Sequence, residues 1–319
     1  MRIQFACGAL LLAVSAVHAA QPEYPVKPVR IIVGFAPAGA ADITARVLGQ
    51  RLSALWGQPV VTDNRPGAGS TIGSAIAAGA TPDGHTLMVV SASYATSAGL
   101  YSKLPFDPVR SFIPITTLAA GHNLLAAHPS VPANSAKELI AYAKSNPGKL
   151  TMGSAGTGSV THLAGELFKL MAGIEVTHVP YKGGGPNLTA LIGGEIQISV
   201  MSLPAAIGQV KSGRLKSLGI TSSRRSAAVP DIPTVAESGL PGYEAKNWYG
   251  ILTPAGTPKS VVATLNRQIN DILRTSDMIA TLARQGLEAE GSTSDAFGVY
   301  LKSEIAKWAK VVKSAGLQE

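Results

Sequence analysis

The chain has 319 residues, 46% of them apolar and 14% charged, and a formal net charge of +8. That apolar fraction excludes a disordered chain, and the charged fraction lies below the ~25% of ordinary globular proteins. A single cysteine and glycines without a period of three exclude a disulfide scaffold and a collagen-like chain. The length is a prior for about two domains.

Residues 1–20, MRIQFACGALLLAVSAVHAA, read as a secretory signal peptide. Arg2 supplies the positive start, Phe5 to Val17 an apolar run too short to span a bilayer, and Val17 and Ala19 the small residues before a cut after Ala19. The alternative is a buried N-terminal helix. Cleavage would remove Cys7 and leave no thiol for disulfides, nucleophilic catalysis or metal binding. No later run reaches 18 consecutive apolar residues, so a soluble periplasmic protein is expected.

Beyond the leader, β-branched runs alternate with helical stretches. Strands are expected at 29–35, 59–62, 86–91, 150–154, 175–180, 196–201, 215–221 and 249–253. Helices are expected at 41–56, 72–79, 135–145, 160–171, 186–192, 204–211, 259–274 and 295–314. Asn134 and Ser135, with Glu138 behind them, mark a helix start. The alternation predicts an α/β protein with parallel sheets and crossover connections. Residues 119–123 and 221–233 read as crossings between domains. The expected first domain is discontinuous, 20–120 with 222–319, and the second is 121–221, with hinges near 120 and 222.

The basic excess is scattered, and aromatics are 5% of the chain. That points to a solvated surface with a weak attraction for anions rather than to a nucleic-acid face.

Four loops place Gly, Ala and small hydroxyl residues between a strand and a helix: 36–42, 65–70, 154–159 and 181–186. A helix start has unpaired N–H groups and a partial positive charge, and small residues let a carboxylate reach them. The competing reading is an ordinary βα turn, with glycine there for backbone geometry alone. Gly67-Ala68-Gly69 with Gly73 loosely matches a dinucleotide pattern but lacks the acidic residue about 20 positions on.

Sequence signatures of serine hydrolases, β-lactamases, zincins and P-loop enzymes are missing after the leader. Histidines 85, 122, 128, 162 and 178 show no metal spacing, and no metal or cofactor is expected. His162 reads either as an anion donor beside the third loop or as a buried structural histidine. Asp42 reads either as a complement to its helix dipole or as an acceptor for a ligand amine or hydroxyl. Tyr181 and Trp248 are apolar cleft walls or core. The competing class is a periplasmic hydrolase using Ser159 with His162.

Read in order, VGFAPAGAADITAR (33–46), GQPVVTDNRPGAGSTIG (57–73), PDGHTL (82–87), GTGSVTHLAGELF (156–168), HVPYKGGGPNLTALIGGEI (178–196), PDIPTVAESGLPGYE (230–244) and WYGILTPAGTP (248–258) resemble the Bug family. These are the substrate-binding proteins of tripartite tricarboxylate transporters. The resemblance implies a two-domain periplasmic binding protein, with a parallel or mixed sheet in each lobe, that closes on a small organic acid like a flytrap. Matched motif by motif, it points to Gly39, Ala40 and Asp42 from the first domain and Gly156, Thr157, Ser159, His162 and Tyr181 from the second, with Ser91 and Ser93 as further cleft residues. It implies a monomer that delivers its ligand to membrane transporter subunits, or to a sensor protein as an orphan receptor. Ala38, Ala41 and Ser70 depart from the usual Gly, Thr and Gly.

Overall fold

The computed structural model describes residues 24–318 except 36, 38, 39 and 182. The leader, Gly39 and Lys182 therefore lie outside the described residues.

Two sheets organise the chain. The first has the order β11-β4-β10-β3-β1-β2, from β1 (Val29–Val33), β2 (Val60–Asn64), β3 (Thr86–Ser91), β4 (Phe112–Gly121), β10 (Asn247–Pro254) and β11 (Leu287–Ala289). β1 pairs parallel with β2 and β3, while β10 runs antiparallel to β3 and β4. The second has the order β7-β6-β8-β5-β9, from β5 (Asn123–Ala127), β6 (Thr151–Ser154), β7 (Thr177–Pro180), β8 (Ile198–Ser202) and β9 (Lys216–Ile220). Here β6 is parallel to β7 and β8, and β5 is antiparallel to β8 and β9.

The helices are α1 (Ala40–Trp56), α2 (Thr71–Ala78), α3 (Ala92–Leu100), α4 (Ala136–Ser145), α5 (Val160–Ala172), α6 (Gly184–Ile192), α7 (Leu203–Lys211), α8 (Lys259–Leu273), α9 (Ser276–Ala283) and α10 (Ser294–Ser314). The expected α4 start is present. Ser135 Oγ accepts the Glu138 N–H, and Glu138 Oε2 accepts the Asn134 N–H, which satisfies donors the first turn leaves open.

Five elements escaped the sequence reading: β4, β5, α3, α9 and β11. β4 and β5 flank a single residue, His122, so both sheets' strands fall in one stretch rich in Ala and Gly. α3 is built from Ala, Ser, Thr, Gly and Tyr, mostly weak helix formers. Its stability comes from packing: a methyl at Gly99 would lie 2.9 Å from the Ala309 backbone, so glycine lets α3 approach α10.

α10 also packs against α5, and one apolar cluster runs through α3, α5 and α10. Trp248 is wholly buried in it, which makes it core. Its Nε1, like that of Trp308, donates to Glu304 Oε2 at 3.0 Å. Two further clusters back the outer faces of the first and second sheets.

The chain passes between sheets at His122 and again between β9 and β10. Segment 222–246, grouped with the first domain from sequence, bonds in good part along the second sheet. Val235 N–H donates to Ile220 O, Lys137 N–H to Ser238 O, and Tyr243 Oη to Ala164 O. Its contact with the first sheet is at β11, where Ala227 N–H donates to Glu288.

Candidate functional site

β1, β3, β6, β7 and β8 each run into a helix start, and small residues occupy the joints. In the second lobe the third and fourth loops are stitched together. Tyr181 N–H donates to Ser154 O at 3.1 Å and Gly183 N–H to Ala155 O at 3.2 Å. This brings Gly156, Thr157, Ser159, His162 and Tyr181 into one region, with Thr157 exposed and Tyr181 half-buried. Burial raises the Tyr181 phenol above its usual range.

Ser159 caps α5, its Oγ accepting the His162 backbone N–H at 3.2 Å and lying 3.1 Å from Thr161 Oγ1. The His162 ring is 1% exposed. Its Nδ1 accepts the Gly158 N–H at 3.1 Å, which leaves the proton of a neutral ring on Nε2, 3.6 Å from Glu166 Oε1. Both ring nitrogens face protein, as in the structural reading of His162, and the ring holds the loop from beneath. Ser159 Oγ meets the backbone of His162 and not its ring, whose Nδ1 accepts from Gly158.

The sequence reading missed what lies under that loop. The rings of His162 and His178 stack at 3.8 Å. His178 Nε2 is 2.7 Å from Ser154 Oγ, which accepts the Gly156 N–H at 3.1 Å. Gly156 therefore offers its N–H to Ser154 rather than to the cleft. Burial, aided by the neighbouring His162, pushes His178 down to about 4. Burial works to raise Glu166, but hydrogen bonds from His162 and Lys169 outweigh it and hold the carboxyl below the usual range.

The fourth loop is the most open. A methyl on Gly183, Gly184 or Gly185 would meet nothing within 4 Å, and no side chain caps α6. Its first N–H groups have no intrahelical acceptor, so an anion can approach them directly.

In the first lobe Ser91 is buried and caps α3, its Oγ accepting the Ser93 N–H at 3.3 Å; Ser93 is half-buried in the first turn. One turn on, Thr96 Oγ1 donates to Ser93 O at 3.0 Å and contacts Gly158 O at 3.3 Å. The middle of α3 thus meets the third loop across the lobes. Gly158 has φ +74°, and a methyl there would lie 2.8 Å from Leu100 Cδ2.

Ala40 is half-buried at the first residue of α1. Asp42 is 2% exposed. Its Oδ1 accepts from Asn64 Nδ2 at 2.9 Å and its Oδ2 from Arg46 Nε at 3.0 Å, and it has a further interaction besides. A ligand hydroxyl or amine would have to displace protein partners, so the contacts of Asp42 are those of a residue that ties down the helix start. Asn64 Nδ2 also donates to Phe35 O, linking Asp42 to the root of the first loop. That root leans on the second loop, since Gly34 abuts Ser70, and α3 holds the same loop where Ser97 Oγ donates to Gly69 O.

Among the described residues no cluster of three His, Cys, Asp or Glu could hold a metal, and no helix is long and apolar enough to cross a membrane.

The family profile described as tripartite tricarboxylate transporter family receptor matches residues 44–317. Protein BugT of Bordetella pertussis is 36% identical over 295 residues, 92% of this chain and 90% of its own. An R. palustris protein solved with adipate superposes with a TM-score of 0.79 at 34% identity, covering 92% of this chain and 99% of that one. MatC of Rhodopseudomonas palustris, solved with bound malate, gives 0.75 at 32% identity, covering 91% and 100%. With two mixed sheets joined by crossings, and with that profile spanning most of its length, the chain belongs to the tripartite tricarboxylate transporter receptor family, the substrate-binding Bug proteins.

Proposed function

We propose that the chain is a periplasmic receptor that captures a small organic carboxylate between its lobes without chemical change. It then delivers the ligand to the membrane subunits of a tripartite tricarboxylate-type transporter. The observation that carries this reading is an open helix start where the two lobes meet. The uncapped α6, with its open glycines, lies beside the α5 loop, and that loop meets α3 of the other lobe through Thr96 and Gly158. Backbone N–H groups at such a helix start suit an anion better than a cation or a neutral ligand.

The site in this reading comprises Gly39 and Ala40 of the first loop, Ser91 and Ser93 at α3, and Thr157, Ser159 and Tyr181 in the second lobe. His162, Asp42 and Gly156 act from behind, by holding the loops. The lobes turn about His122 and segment 221–246, and the ligand, touching both, favours the closed arrangement. The adipate and malate bound by two relatives place small dicarboxylates first among the candidates.

The test is a thermal-shift screen of refolded, ligand-stripped protein against adipate, malate and other small carboxylates. A ligand at 100 times its Kd adds about 2.7 kcal/mol. At roughly 2–4 °C per kcal/mol, the midpoint should rise by about 5–10 °C, and the compound should be recovered unchanged. A flat screen of folded protein would refute carboxylate capture, and a chemically altered compound would refute a pure receptor.

A further inference from the structure

The third loop turns nearly all of its backbone donors into the protein. Ala155 N–H goes to Thr161 Oγ1, Gly156 N–H to Ser154 Oγ, Gly158 N–H to His162 Nδ1 and Ser159 N–H to Gly156 O, each at 3.1 Å. Between 155 and 159, the N–H of Thr157 alone has no acceptor among the described residues. Thr157 is also the exposed residue of the loop. A backbone donor in that position takes its partner from outside the protein.

Ser154, at the end of β6, is 1% exposed. Its hydroxyl has one proton and two lone pairs. The Gly156 carbonyl, 3.2 Å away, can only accept, so the proton goes to it. The lone pairs take the Gly156 N–H and the Nε2–H of His178, which is 2.7 Å away. His178, pushed down to about 4, is neutral at neutral pH, and its single proton on Nε2 fits this arrangement. The bonding capacity of the hydroxyl is then full.

Gly156 has φ +128°, a region that glycine enters freely and other residues rarely do. That freedom would allow the peptide between Gly156 and Thr157 to turn over. Ser154 opposes it by holding both the N–H and the C=O of Gly156, and the carbonyl also accepts from Ser159. In a planar trans peptide the C=O and the following N–H point in opposite directions. With Gly156 O fixed toward the buried Ser154, the Thr157 N–H points away from it. The preceding peptide is held as well, because Ala155 O accepts the Gly183 N–H of the fourth loop at 3.2 Å.

We propose that Ser154 is a positioning residue of the ligand site: by clamping Gly156 it aims the Thr157 N–H into the cleft, where that group donates to a carboxylate oxygen of the ligand. This rests on the reading of the cleft as a carboxylate site. Ser154 does not touch the ligand, and it acts through one peptide plane.

The experiment compares the parent, Ser154→Ala and Ser154→Thr, the last of which keeps the hydroxyl. Dissociation constants for adipate and malate are measured by calorimetry. Amide exchange at Gly156 is followed by NMR on ligand-free, nitrogen-labelled protein. Ser154→Ala should bind about tenfold more weakly and exchange Gly156 about tenfold faster, as expected for one lost hydrogen bond, while Ser154→Thr stays within about threefold of the parent in both. A serine that only supports the fold would lower the melting midpoint of the alanine variant and leave its Kd at the parent value, which would overturn the proposal. A Gly156 amide as protected in Ser154→Ala as in the parent, or a threonine variant as weak as the alanine one, would overturn it too. A parent that binds neither acid would overturn the dicarboxylate reading and this assignment with it, an outcome distinct from a parent that binds and an alanine variant that matches it.

Discussion

The imidazoles of His162 and His178 stack at 3.8 Å with 22° between their planes, directly under the loop whose Gly156 and Gly158 N–H groups they help to orient. Burial, with the neighbouring His162 adding to it, shifts His178 down to about 4. In the unfolded chain it would titrate near 6.5. Below that value the unfolded state binds more protons than the native state, so stability falls as pH falls from about 6.5 toward 4 and levels off beyond. After discounting for a ring that is only partly buried, the loss is on the order of 1–2 kcal/mol. Thermal unfolding of parent and His178→Gln across this window should show the parent's slope and a flatter one for the variant.

Gly158→Ala should destabilise the protein by about 1–2 kcal/mol. The residue holds φ +74°, and a methyl would press on Leu100 of the other lobe. Urea unfolding reads the loss. Leu100→Ala added to it should relieve the clash but not the backbone strain, so the double mutant should show less than the sum of the two single effects.

Ser70→Gly should stabilise the protein by about 1 kcal/mol. Ser70 has φ 80°, the one non-glycine residue with positive φ among those described, and its Oγ is buried without a partner. Removing left-handed strain and an orphaned hydroxyl outweighs the added freedom of the unfolded chain. A higher urea midpoint with an unchanged slope would bear this out.

Asp42→Ala strips acceptors from Asn64 Nδ2 and Arg46 Nε and should cost about 1–3 kcal/mol. If Asp42 serves its own helix start, the thermal midpoint drops equally with and without bound carboxylate. An extra loss confined to the liganded protein would instead return Asp42 to the ligand.

The joints of the site were legible from sequence, because βα turns have local causes. The glycines before α6 and the small residues before α5 follow from neighbours within a few residues, while the capping role of Ser159 came from the structure. The predicted β1, β3, β6, α1, α5 and α8 lie close to their structural bounds for the same reason. α3 was not legible, since Ala-Ser-Tyr-Ala-Thr-Ser-Ala has little helix preference and depends on α10, some 200 positions away. The β4–His122–β5 passage read as punctuation because Ala-Ala-Gly-His-Asn carries no strand pattern, and its pairing with β10 and β8 is non-local.

By itself the sequence determined the α/β class, the family and the places where bare backbone N–H groups are offered, because composition, periodicity and ordered motifs are written along the chain. Only the tertiary structure decided what stands behind those loops. His178 reaches Ser154 across 24 residues, Thr96 meets Gly158 across 62, and His122 bonds Ser222 across 100. A side chain's hydrogen-bond roles depend on which groups surround it in space. For that reason the chain alone left two readings of His162, while the fold sets its ring beside Gly158 and Glu166.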